Sequence, residues 1–441
     1  MSNRSTRIAD LLAWEALDSR GRPTVACRIS LDGGAQGEAL APSGASTGAH
    51  EAVEVRDGGE RYEGRGVLSA VANVRGAIRE ALLGMDAADQ VGVDTTICEL
   101  DGTPQLSRLG ANAVLAVSLA CARAAAAARG EPLWRALAWG QPLLPMPMVN
   151  ILSGGAHAAH MCDVQDFLAV PVGARSFAEA IEWVARVRAA AASLVAERGG
   201  NSHLVADEGG LAMHLADNAD GLRLLTDAIE RSGLRPRDDV AIALDVAATQ
   251  LVAGGAYRLA AEGRTLAAAE MVDTVARWCS DWPVISVEDP LAEDDWDGWR
   301  LATERLGHLQ LVGDDLFVTS TERLEHGIAA AVANTVLVKV NQNGTLSGSA
   351  EVMRRAAQAG YATVVSARSG ETEDSVIADL AVAWRSGQIK VGSLTRSERT
   401  AKWNRLLAIE AELGDSAVFA GVEHLGGRRT AQPALRGRRS P

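Results

Sequence analysis

The sequence predicts an α/β protein: a (β/α) barrel preceded by a smaller α+β unit. Three observations predict it. The first forty residues read as an antiparallel meander, the pattern changes near Pro145, and beyond Pro145 apolar strands alternate with amphipathic helical stretches, polar residues recurring where the strands end. Taking positions 208, 245, 288, 314, 339, 368 and 390 as those ends, the steps between them are 37, 43, 26, 25, 29 and 22 residues. One strand, one helix and two loops take about that length, and in such barrels the C-terminal strand ends converge on the face that carries the chemistry.

The N-terminal unit is expected to span residues 1–140. Ile8 to Leu40 reads as strands broken by turns at Asp18-Ser-Arg-Gly-Arg-Pro23 and Asp32-Gly-Gly34, because Gly, Asp and Pro supply turn conformations. A Gly/Ser loop follows, Pro42-Ser-Gly-Ala-Ser-Thr-Gly48, and helical patterns run through Val67–Met85 and Asn112–Arg129. The barrel is expected over residues 141–425. The tail, 426–441, has five Arg, two Pro and no acid, and reads as disordered.

Composition narrows the functional classes. A chain of 441 residues, at ~150 per domain, allows two or three domains or one barrel plus a cap. A net charge of −13 argues against nucleic acid as a partner. No apolar run reaches 18 residues, and the Ala-rich stretch Leu115–Ala128 is broken by Ser118 and Arg123, so it reads as a buried helix and no membrane span is expected. Met1–Asp10 is polar, without the apolar stretch of a secretion signal. Five scattered cysteines, at 27, 98, 121, 162 and 279, include no CxxC pair and read as reduced thiols of a cytoplasmic protein.

The chemistry shows in what the chain keeps. Lys and Arg total 43, yet only Lys339, Lys390 and Lys402 are lysine. Arginine can replace lysine wherever a solvated charge suffices, but not where an amine must release its proton. Lys339 and Lys390 each sit at the polar end of a short apolar run. Three carboxylates close three further strands: Asp245 in Ala-Ile-Ala-Leu-Asp, Glu288 in Val-Ile-Ser-Val-Glu, and Asp314 in Leu-Val-Gly-Asp. Each alone could pair with an arginine. Three converging together suit a hard divalent cation, Mg²⁺ foremost. A lysine beside a dication and a second lysine should have its pKa pushed down from ~10.4, toward that of a working base. Such a site would take a proton from the α-carbon of a carboxylate and hold the charge that develops.

From about Ile8 to Leu413 the chain resembles the enolase family. The matching stretches are Ala16-Leu-Asp-Ser-Arg-Gly-Arg-Pro-Thr-Val25, Pro42-Ser-Gly-Ala-Ser-Thr-Gly48, Asp207-Glu-Gly-Gly210, Gly313-Asp-Asp-Leu-Phe-Val-Thr319, Lys339-Val-Asn-Gln342, Arg368-Ser-Gly-Glu-Thr-Glu-Asp374 and Arg396-Ser-Glu-Arg399. The pairing of a lysine base with Mg²⁺ is the general pattern of that superfamily. The resemblance implies an enolase-type (β/α)8-like barrel with an N-terminal α+β capping domain. It implies two Mg²⁺ per site, the first on Asp245, Glu288 and Asp314 and the second on Ser46. Lys339 would take the C2 proton, Lys390 would stabilise the intermediate, and Glu208 would assist departure of the C3 hydroxyl. His157, Gln165 and Asp166 would line the substrate pocket with Glu288 and Asp314, while Arg368 and Ser369 would grip phosphate. Lys402 would serve packing or an ion pair. The substrate would be a small phosphorylated carboxylate, and the protein a homodimer or higher homo-oligomer.

Two positions depart from the family pattern: Ala367 stands where the family has His, and Asp166 where it has Glu. Both lie on the side that handles the leaving hydroxyl. The primary reading is a Mg²⁺-dependent lyase that tolerates these changes and reversibly dehydrates 2-phosphoglycerate to phosphoenolpyruvate, a glycolytic reaction. An alternative is an enolase-like enzyme of phosphonate metabolism, such as carboxyphosphonoenolpyruvate synthase. A third is an inactive enolase-fold binding protein, against which the retained lysines argue.

Overall fold

The computed structural model describes residues 5–44 and 48–427; Ser46, and the Arg-rich tail from residue 428 onward, lie outside the described residues. The chain opens with the expected meander. Strands β1 (Ile8–Leu17), β2 (Pro23–Leu31) and β3 (Gln36–Leu40) pair antiparallel in that order. Asp18 sets the first turn by accepting the N–H groups of Arg20 and Arg22, at 2.9 and 2.8 Å. The alanine-rich helix Ala111–Arg129 packs on this sheet and is buried along most of its length. Small residues let it come close: a Cβ at Gly37 would lie 2.2 Å from the backbone nitrogen of Ala124. A further helix, Gln90–Asp101, was not expected from the sequence.

The second unit is a closed ring of eight strands with helices outside. Its members are β4 (Met146–Ser153), β5 (Asp166–Val170), β7 (Ala241–Asp245), β11 (Val284–Glu288), β12 (Gln310–Gly313), β13 (Thr335–Val338), β14 (Ala362–Ser366) and β15 (Gly387–Gly392), and β15 closes on β4. A two-residue strand, β6 (Leu211–Ala212), pairs with β4 beside the ring. A small sheet of β8 (Val252–Ala253), β9 (Ala256–Leu259) and β10 (Arg264–Leu266) is inserted between β7 and β11, which explains why that step was the longest. Two features differ from the expected alternation. Strand β5 follows β4 directly and runs antiparallel to both neighbours. Glu208 ends no strand; it sits in a turn before β6.

Strand periodicity aims the chemistry. Met146, Met148, Leu168, Val170, Ala243, Val312, Leu337 and Val364 form the core inside the ring, whereas Ile242, Leu244, Leu311, Val336, Val338, Val365 and Ile389 pack outward beneath the helices. Side chains alternate between faces with a period of two. Asp245 therefore shares the inner face with Ala243, Asp314 with Val312, and Lys339 with Leu337. Because β5 runs backwards, its first residue lies at the same rim, and Asp166 pairs in register with Asp245.

Candidate active site

The inward-facing residues at the C-terminal ends of the parallel strands converge on one small cavity of about 30 Å³, lined among others by His157, Gln165, Glu208, Asp245, Asp314, Lys339, Arg368, Ser369 and Lys390. The cavity is small because opposite charges have closed on each other. The Lys390 ammonium lies 2.7 Å from Asp245 Oδ2 and 2.7 Å from Glu288 Oε2, and Lys339 Nζ donates to Asp314 Oδ2. The second oxygen of Glu288 is buried and has no hydrogen-bond donor among the described residues. Burial, then the neighbouring Asp245 charge, push the Glu288 carboxyl well above its ordinary range.

Burial tends to lower the pKa of Lys339, but Asp314 outweighs it and holds the ammonium above its usual value. Lys390 is held well above by Asp245, Glu288, Asp166 and Glu208, against the same burial. Each lysine is claimed by carboxylates of the rim, Lys339 by Asp314 and Lys390 by Asp245 and Glu288; the depression expected from the sequence belongs to a lysine beside a bound dication.

A second cluster forms on the β4–β5 side. His157, on the short 3-10 turn Gly155–Ala158, places Nδ1 3.0 Å from Asp166 Oδ2. Asp166 is completely buried and also accepts from Ser153 Oγ at 2.9 Å and from Asn150 Nδ2. Burial pulls the His157 pKa down, but Asp166 and Glu208 overcome it and push it up to about 9. His157, Asp166 and Glu208 each bring a ligand atom within 4.8 Å of the others. Gln165 donates to Asp245 Oδ2 at 3.2 Å and accepts from Gln250 at 3.1 Å.

Beside Asp314 the structure brings in Asp289 and Asp315, to which the sequence reading gave no role. Asp289, Asp314 and Asp315 also bring carboxylate oxygens within 4.8 Å of one another. Asp289 has φ of +41°, unusual for a residue with a side chain, and its carboxylate accepts the backbone N–H of Asp314 at 3.0 Å and of Asp315 at 2.7 Å. Burial and the adjacent Asp314 push Asp315 up to about 7. Asp289 adjoins the recognised Glu288; Gln250 carried no signal.

On the opposite side, Arg368 is buried against Glu51, with Nη1 2.8 Å from Oε2. Its backbone N–H donates to Glu371 at 3.0 Å, and Glu371 in turn pairs with Lys402 at 2.9 Å. Lys402 is fully buried in the helix Ser397–Leu413, so its work is structural, as expected. Ser369 is buried nearby, its carbonyl held by Arg399 at 2.6 Å. Ala367 is buried at the cavity wall, where it offers only a methyl group. A larger cleft, about 980 Å³, lies away from this rim and includes Arg237, Arg264, Arg277 and Arg305. None of the strand-end groups line it, and Arg264 and Arg305 are paired there with Glu262 and Asp273.

All five cysteines are free. Residues 141–426 match the family model described as the enolase C-terminal TIM barrel domain, and residues 8–137 match that of the enolase N-terminal domain. A relative named Enolase, from Rubrobacter xylanophilus, is 52% identical over 420 residues, covering 95% of this chain and 97% of its own.

Proposed function

This chain belongs to the enolase family of lyases, and from that premise we propose that it is a Mg²⁺-dependent enzyme that reversibly dehydrates 2-phosphoglycerate to phosphoenolpyruvate. The observation that carries the reading is the convergence of Asp245, Glu288 and Asp314 with Lys339 and Lys390 on one inner rim.

The residues present fit a hard cation. The donor set is all carboxylate, and the orphaned, buried Glu288 Oε1 is a site that a cation would satisfy. Asp245, Glu288 and Asp314 would hold one Mg²⁺ and Ser46 would contribute to a second. When bound, Mg²⁺ supplies positive charge that stabilises the doubly charged carboxylate of the intermediate.

The chain's own groups perform the proton transfers. Lys339 takes the C2 proton, and the C–H electron pair moves into a C1–C2 double bond, giving an aci-carboxylate. It can act as a base only as the neutral amine, so Asp314 must be engaged elsewhere when it works. Lys390 holds the negative charge with its ammonium. The electron pair then forms the C2–C3 double bond as the C3–O bond breaks. The departing hydroxide takes a proton that Glu208 relays from protonated His157 beside it, and leaves as water. Arg368 and Ser369 hold the phosphate. Scattered cysteines without a CxxC pair and the glycolytic substrate support a cytoplasmic location, and we infer a homodimer or higher homo-oligomer from the family likeness.

The test is phosphoenolpyruvate formation from 2-phosphoglycerate, followed by absorbance with Mg²⁺ and with EDTA. Turnover with Mg²⁺ that EDTA abolishes supports the reading; no turnover with either overturns it. One observation favours a second reading, an enolase-like enzyme acting on a phosphono-carboxylate: Ala367 presents a methyl group where a proton donor is expected. Faster turnover of a phosphonopyruvate-type substrate than of 2-phosphoglycerate would select it.

A further inference from the structure

Glu51 belongs to the capping domain, yet its side chain is built into the barrel rim. It is only 6% exposed. Its backbone carbonyl is held by Gln105 at 2.9 Å, and its Oε1 accepts the N–H of Gly48 at 3.0 Å. The same carboxylate meets Arg368 from β14's end, Nη1 at 2.8 Å and Nη2 at 3.4 Å, and Gln342 Nε2 at 3.3 Å. Gln342 also donates to Asp314 at 2.9 Å. Asn341 accepts from Arg368 Nη1 at 3.1 Å and donates to the carbonyl of Pro42 at 3.3 Å. Ser43 and Gly370 exchange both backbone hydrogen bonds, at 2.8 and 2.9 Å. Residues 42–43 and 48–52 are thus pinned to the ends of β13 and β14, with the Glu51 carboxylate paired to Arg368.

Arg368 has a long side chain with several rotamers, and aiming its guanidinium costs entropy unless something else fixes it. A fork-on-fork carboxylate contact is the strongest way to fix it. A carboxylate placed only to repel or compete with an anion would need no second link to Gly48 and Gln342.

We propose that Glu51 is a positioning residue for phosphate recognition: it orients Arg368 toward the substrate phosphate and ties that orientation to the capping segment. The proposal rests on the reading above that Arg368 grips phosphate. If it holds, Glu51→Ala weakens binding of inorganic phosphate, used as the probe and measured by calorimetry with Mg²⁺ present, by about tenfold or more. The KM for 2-phosphoglycerate rises in parallel while kcat stays within about threefold. Glu51→Gln keeps the size but sets an NH2 donor against one arm of the guanidinium fork, so it also weakens phosphate binding, by less than Glu51→Ala. In an Arg368→Ala background, Glu51→Ala has no further effect, because the residue it acts through is gone. Thermal melting of each variant guards against unfolding, with Glu51→Gln available if Glu51→Ala does not fold. Tighter phosphate binding in Glu51→Ala, unchanged binding, or additive losses with Arg368→Ala would overturn the proposal. The calorimetry needs no turnover, so absence of phosphoenolpyruvate formation in wild type would count against the proposed reaction alone.

Discussion

Lys390 stands 2.7 Å from Glu288 Oε2, and both side chains are buried at the strand rim. The ammonium sits where the carboxylates converge and neutralises them. Removing one partner of a buried ion pair leaves an uncompensated charge at about 3–5 kcal/mol. Lys390→Met should therefore lower the melting temperature markedly in EDTA. Saturating Mg²⁺ should recover more stability in Lys390→Met than in wild type, since a bound cation replaces the lost charge. An equal Mg²⁺-induced rise in both proteins would show that the carboxylates do not share a cation site.

Lys339→Arg keeps the charge beside Asp314 but removes a group able to lose its proton at neutral pH. Deuterium wash-in at C2 of 2-phosphoglycerate, followed by NMR, should slow by at least about a hundredfold, the low end of what a positioned base contributes. Exchange near the wild-type rate would remove Lys339 from that role.

The His157–Asp166 contact makes a prediction about pH. In the folded protein His157 keeps its proton up to about 9, whereas an unfolded histidine releases it near ~6.5. The folded pKa is the higher, so the pair's stabilisation is fully present below the unfolded value and is lost as pH rises through about 9. The imidazole should titrate by NMR with a midpoint near 9, and Asp166→Asn should bring that midpoint down by two units or more. A wild-type midpoint near 6.5 would mean that Asp166 does not hold the proton on His157.

The fold was legible wherever periodicity carried it. Asp245, Asp314 and Lys339 could be placed on one rim because each follows an inward apolar neighbour by two residues. Asp166 was recognisable only through the family likeness, since a residue that begins a strand reaches that rim only when the strand runs backwards. Glu208 looked like a strand end because acids recur there, but its turn is set by pairing around Val205 and Leu211, far from any simple pattern. The protonation of each lysine depends on the balance of charges around its amine, which strand periodicity does not reveal. Gln250 and Glu51 reach the site from an inserted element and from the other domain, so no local spacing announces them.

Lys402 pairs with Glu371 at 2.9 Å and also donates to the carbonyl of Thr372 at 2.7 Å, with no exposed surface on its side chain. Glu371 caps the backbone of Arg368. Lys402→Met should cost about 3–5 kcal/mol in urea unfolding, because Glu371 is left buried and unpaired. Loss under about 1 kcal/mol would mean that Glu371 finds another donor or becomes protonated.

Proton abstraction should outlast dehydration in this protein. Lys339 and Lys390 are both in place, whereas the leaving-group side has the methyl of Ala367 and a carboxylate, Asp166, drawn back into contacts with Asn150, Ser153 and His157. C2 exchange should therefore run ahead of phosphoenolpyruvate formation. Ala367→His adds a proton donor at the cavity wall and should raise product formation by about tenfold while exchange changes little. Asp166→Glu is the riskier change: Asp166 is fully buried, and an extra methylene in a packed site costs about 1–3 kcal/mol. Its effect should be read in the Ala367→His background, where the two changes are expected to couple through His157. Equal ratios of exchange to product in wild type and Ala367→His, with rapid turnover in both, would show that Ala367 costs the dehydration step nothing.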